Sequence, residues 1–211
     1  MNLEKYFPSE ENNEGYPFSL NEKDWYSYLA AIDTESGKLF ELLIESRHIS
    51  NHLDIIFAAM QWKKIIFTSN RLDDGNSVEI VTFHRNPVYI ASKAIFFFME
   101  KIWDILVAEW KPLEVTTCWY FAKLMNTMQK EMFGGIASID SCEYVLAVCH
   151  FKNVMAAVNN AMFSLKKLPL LEGKVKGFVY DFTVSLFDIR ELAWQSISLC
   201  NVAEKRCNEG S

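Results

Sequence analysis

Four side chains of metal-ligand type recur through "ELLIESRHISNHLD", residues 41 to 54: Glu41, Glu45, His48 and His52. Their steps of four, three and four would line them up on one face of an unbroken helix. Two imidazoles and a carboxylate in that arrangement are a plausible ligand set for a single metal ion, so Glu45, His48 and His52 form the candidate metal site. A paired-metal carboxylate centre would need a Glu-x-x-His on each of two helices. Glu45 to His48 is one such motif, and neither His84 nor His150 has a glutamate three residues before it.

The mononuclear site depends on helix continuity, and the local sequence argues for a break. Arg47 and His48 are cations of the kind that close a helix, while Ser50 or Asn51 followed by Asp54 is the pattern that opens one. The favoured reading is therefore a helix–helix corner at Ile49 to Ser50, which would split the stripe.

Other motifs carry less. Ser164-x-x-Lys167 has the spacing that sets an amine beside a serine nucleophile, but its companion elements are missing, and a helix C-terminus explains the lysines. Lys166, Lys167, Lys174 and Lys176 make the one dense basic stretch. No glycine-rich loop precedes a helix start there to aim amides at a phosphate, so it reads as a solvated loop. The chain has no nucleophile elbow, dinucleotide or phosphate loop, zinc-protease helix, calcium loop or Cys-x-x-Cys pair. No catalytic residue and no cofactor is assigned, and the balance leans away from an enzyme.

Helical punctuation sets the elements that would carry these residues. "SLNE" at 19 to 22 is a capping box, opening a helix that passes Trp25, Leu29 and Ile32, meets a weak point at Gly37 and resumes at Leu39 to Ile44. Asn86 and Pro87 read as cap and first residue of a helix reaching Trp110. Pro112 should open the next helix and "FGG" at 133 to 135 should end it. "DSCE" at 140 to 143 reads as a capping box for a helix through Met162, with Pro169 beyond it, and a last helix starts near Gly173 or Gly177. Residues 64 to 83 admit two readings. Ile49, Leu53, Ile56, Met60 and Phe67 favour a helix extended to about Arg71, whereas Asp74-Gly75 between β-branched runs would make a short hairpin.

The expected fold is thus an all-α bundle of about six helices, with one short β-hairpin near residues 64–83 as the alternative there. Residues 1–18 form an acidic, flexible N-terminal segment, and residues 19–207 a single helical domain. A chain of 211 residues can bury roughly 70% of its unfolded surface, so it needs neither metal nor disulfide to fold. Its five cysteines (Cys118, Cys142, Cys149, Cys200, Cys207) fit reduced thiols packed in a core, and a cytoplasmic setting follows from that and from an N-terminus without signal-peptide features. The apolar run Val88 to Trp110 is interrupted by Lys93, Glu100, Lys101, Asp104 and Glu109, too many charges for a bilayer centre.

Charge and aromaticity point to binding. Residues 1 to 35 hold eight acids against two lysines, which accounts for the whole net charge of −6, because residues 36 to 211 are balanced. Such a segment repels nucleic acid and anionic membranes and can steer a basic protein. Phe96 to Phe98 and Trp119 to Phe121 cover more helix circumference than one core stripe hides. Most should serve a large core, and the remainder a partner surface. The expectation is a non-catalytic intracellular protein that binds another protein, in one version an inhibitor or immunity-type antidote for a basic toxin or enzyme. Glu10, Glu11, Glu14, Glu22, Asp24 and Trp25 are its candidate partner-binding residues. The alternatives are a ligand- or metal-binding helical protein or enzyme with an aromatic-lined cavity, using His48, His52, Glu45 or His150, and a homodimer joined through exposed aromatics.

Overall fold

The computed structural model describes residues 22–49, 52–60, 86–110, 113–168 and 173–209. Among them are six helices and no strand: α1 (Glu22–Ser46), α2 (His52–Ala59), α3 (Pro87–Glu109), α4 (Val115–Asp140), α5 (Tyr144–Leu165) and α6 (Gly173–Glu209). The fold is the all-α bundle expected from periodicity. Residues 61–85 lie outside the described set, and with them both the extension of α2 to Arg71 and the hairpin.

Helices α3 to α6 form a four-membered ring in which α5 packs most extensively, on α4 and on α6, and α6 closes onto α3. Short connections make successive members antiparallel. Helix α1 lies along the outside of α3, and α2 turns back from its end. One continuous core contains residues of all six helices, among them Leu39, Ile56, Met99, Phe121, Phe151 and Phe182. Trp103 ties three of them together: its ring centroid is 5.0 Å from that of Phe121 on α4 and 5.8 Å from that of Phe182 on α6. Both pairs are tilted, at 36° and 43°, and ring contacts add about 1 kcal/mol each beyond the area they bury.

The opening of α3 follows its sequence. Asn86 accepts the Val88 amide at 2.9 Å, and Pro87, which has no N–H to leave unsatisfied, takes the first helical position. The charges along α3 sit on its outer side, while Ile90, Phe96, Met99 and Leu106 face the core. No described helix is long and apolar enough to cross a membrane.

Two local expectations need correction. Helix α4 does not end at the Gly-Gly pair but runs on to Asp140. The glycines are there for contact: a Cβ on Gly135 would stand 2.7 Å from the Phe151 ring, and one on Gly134 3.0 Å from the His150 ring. Helix α5 can approach α4 so closely only because both side chains are missing. The real end of α4 lies five residues after Gly135 and is a Schellman motif. There the Cys142 amide donates to Ile139 and the Glu143 amide to Ser138, and Cys142 itself adopts a left-handed φ of 60°. "DSCE" is therefore a helix exit; Glu143 caps α5 without a side-chain bond.

The remaining differences are smaller. Helix α1 passes through Gly37 without interruption, α4 starts at Val115 with Pro112 outside the described residues, and α6 extends to Glu209. The cysteines divide: Cys200 is buried, and burial pushes its thiol up to about 11, whereas Cys142 and Cys149 are exposed instead of packed in the core.

Candidate functional site

The opening stripe is resolved by a corner. Helix α1 closes at Ser46, whose hydroxyl donates back to the Leu42 carbonyl at 2.6 Å, and α2 starts at His52. Glu41 and Glu45 stay exposed on α1. His48, also exposed, accepts a hydrogen bond from Arg47 Nε at 3.1 Å. His52 turns the other way, onto α6, where its Nε2 lies 2.9 Å from Asp188 Oδ2. Arg47 reaches the same helix one face-repeat earlier, 3.5 Å from Asp181.

The structure thus does not bring Glu45, His48 and His52 together, and no group of three potential ligands occurs among the described residues. What it builds instead is a latch. The hydrogen bond to Asp188 is the main cause that raises the His52 pKa above its usual 6.5, against burial, which lowers it; the Asp188 charge and the Ile49 backbone add to the rise. Held against Asp188, the imidazole joins α2 to α6 and faces away from Glu45 and His48. Asp188 is itself pushed up from 3.8 by burial, which the His52 contact only partly offsets.

Sequence reasoning passed over Asp181 and Asp188. Their signal is two acids seven residues apart on an otherwise apolar helical face, "DFTVSLFD". A carboxylate on a buried face requires a cation or donors from elsewhere, so the pair implies a docking element with two basic groups at matching spacing. Arg47 and His52 supply it.

His150, the other histidine considered for chemistry, belongs to a second clamp. Its Nδ1 lies 2.9 Å from Glu131 Oε2, and the Asn153 side-chain amide donates to that same oxygen at 3.0 Å. These bonds, Asn153 foremost and His150 next, hold the Glu131 carboxyl below its usual 4.5. The group is a fixed acceptor that joins α4 to α5 just beside the close approach at Gly134. Ser164 and Lys167 make no nucleophile pair either, since the lysine ammonium sits over the Phe163 ring at 4.2 Å.

The surface carries what the interior does not use. Of the aromatic surplus, Phe96, Phe98, Trp103, Trp110 and Phe121 enter the core, whereas Tyr26, Trp119 and Tyr120 face solvent. Phe97 is half-exposed and meets Phe40 edge-on at 5.2 Å. Four further exposed rings were not anticipated: Phe163 near the end of α5, and Tyr180, Phe187 and Trp194, spaced by seven along the outer side of α6. Glu10, Glu11 and Glu14 lie outside the described residues. Glu22, Asp24 and Trp25 fall in the first turn of α1, and their side chains are likewise outside the described set.

Compared with known protein families, curated proteins and solved structures, the chain matches none.

Proposed function

We propose that the protein acts without catalysis, by binding another protein. The observation that carries this reading is a large aromatic anchor held rigidly in solvent: Trp119 on α4 is 74% exposed, with Val115, 70% exposed, one turn before it on the same face. A helix fixes both in advance, so little entropy is lost when they enter a pocket, and tryptophan is among the residues that dominate binding energy. Singly exposed apolar side chains are ordinary; a tryptophan and a valine adjoining on a rigid helix form a patch.

The acidic segment at residues 1 to 35 supports a basic partner, and an inhibitor or immunity-type antidote that neutralises a basic toxin or enzyme is the form of the proposal this charge favours. A cytoplasmic setting belongs to the same proposal, supported by four free thiols among the described cysteines.

The test is affinity capture with the wild-type chain and with Trp119→Ala, followed by titration of whatever is retained in stoichiometric amount. The expected result is one partner whose affinity falls about 30-fold or more in the variant, as for a hot spot of about 2 kcal/mol. A chain that captures nothing stoichiometrically, or a partner held equally well by Trp119→Ala, overturns the proposal.

A further inference from the structure

The aromatic row on α6 lies on a different side of the molecule from Trp119 and has its own electrostatic setting. Phe182, Leu186, Ile189 and Ala193 already fill the inner side of α6. Tyr180, Phe187 and Trp194, between 50% and 56% exposed, run along the opposite side at steps of seven. Two turns of helix separate successive rings, so they form a nearly straight line rather than a scatter.

Charge is distributed unevenly about that line. Lys166, Lys167, Lys174 and Lys176 are exposed where α5 ends and α6 begins. At the far end, Asp140 and Glu143 precede α5, and Glu204 joins Glu143 in the lining of a shallow groove of about 610 Å³. Lys205 and, two turns along α5, Lys152 are the exposed bases toward that end among the described side chains. Phe187 lies near the midpoint between the two ends, where Arg190 and Glu191 cancel each other.

We propose that the solvent side of the α5–α6 pair is a self-complementary interface, and that its occupant is a second copy of this chain, packed antiparallel about a two-fold axis at Phe187. The axis brings Phe187 against its equivalent and Tyr180 against Trp194 of the other copy. It lays the lysine end of each copy toward the acidic end of the other, twice over. A parallel arrangement would instead stack four lysines on four lysines. An isologous interface requires one patch that complements itself under rotation, which an apolar centre flanked by opposite charges provides. The area is adequate: α5 has 22 residues, about 33 Å of helix, and two helices about 20 Å wide together offer about 650 Å² per copy, close to the roughly 800 Å² of a standard interface.

Sedimentation of the full chain from about 1 to about 100 μM tests the proposal. The expected result is a dimer that dissociates on dilution, and for Phe187→Glu a monomer with unchanged helical circular dichroism, its dimer weakened about 100-fold or more. Two charge variants test the pairing of opposite ends, and a mixture that dimerises more tightly than wild type would overturn the antiparallel arrangement. Lys174→Glu with Lys176→Glu, and Glu143→Lys with Glu204→Lys, should each dimerise poorly alone and recover dimerisation when mixed in equal amounts. A wild-type monomer at the highest concentration, or a dimer indifferent to Phe187→Glu, overturns the proposal. If Phe187→Glu breaks the dimer but mixing restores nothing, the antiparallel arrangement is overturned. A monomer whose captured partner is lost on Phe187→Glu would show that another protein covers this face. Trp119→Ala should leave self-association unchanged, so failure here and failure of the binding proposal are separate results.

Discussion

His52 shows how far one residue's meaning depends on its partner. Its type and spacing suggested a ligand, and only the approach of α6 makes it the partner of Asp188, 136 positions away. The pair is nearly enclosed, with 12% and 7% of the two side chains exposed. Removing the imidazole strands a buried carboxylate, so His52→Ala should cost about 3 kcal/mol at neutral pH. The pH dependence has a definite sign. The folded pKa of His52 lies above 6.5, so its contribution is complete below that value and is lost as pH rises through the folded pKa. Asp188, raised above 3.8 by burial, gives a fall of the same sign that begins in the acid range, as pH rises from 3.8 through its folded pKa. Urea unfolding of the wild type from about pH 6 to about pH 9 should therefore show falling stability, and Asp188→Asn should remove most of that slope. Equal slopes in the two proteins would mean that the latch carries no charge.

At the scale of the element, two positions separate backbone need from packing need. Glycine is ordinarily the residue of helix ends, and the left-handed exit of α4 would suit one, yet Cys142 occupies it. The glycines stand inside α4, where they admit the rings of His150 and Phe151. Opposite substitutions should therefore have opposite effects. Cys142→Gly should stabilise by about 1 kcal/mol, since it relieves the left-handed strain of a residue bearing a Cβ. Gly135→Ala should destabilise by about 2 kcal/mol through overpacking, although the same change in an exposed helix would gain about 1 kcal/mol. Thermal unfolding of the two single variants checks both signs. The element count was legible because periodic apolar spacing survives any assignment of ends. The end of α4 was not, since a glycine pair has the same letters whether it terminates a helix or lets another helix approach.

For the whole molecule, the governing feature is the separation of charge from body. All of the net charge falls in residues 1 to 35, while the remainder is neutral and presents aromatic anchors from rigid helices. Steering and anchoring should then divide between the two phases of binding. Neutralising Glu10, Glu11, Glu14, Glu22 and Asp24 should slow association with a basic partner by about 10-fold and flatten its salt dependence, with little change in dissociation. Stopped-flow mixing at two ionic strengths reads both quantities; an unchanged association rate would remove steering from the proposal.

The sequence by itself determined the helical class, the approximate number of helices, the cap of α3 and a break near Ile49 to Ser50, three residues past the observed end of α1, because each follows from contacts within a few residues. The corner was legible in Arg47, His48 and Asp54 before any packing was known. Which face of each helix was buried by what, and the identity of every long-range polar pair, was decided only by tertiary structure. Asp188 is bound to His52, Asp181 to Arg47, and Glu131 to both His150 and Asn153 by distances that no local pattern encodes. A buried carboxylate announces that it needs a partner. The packing of the helices determines which one it receives.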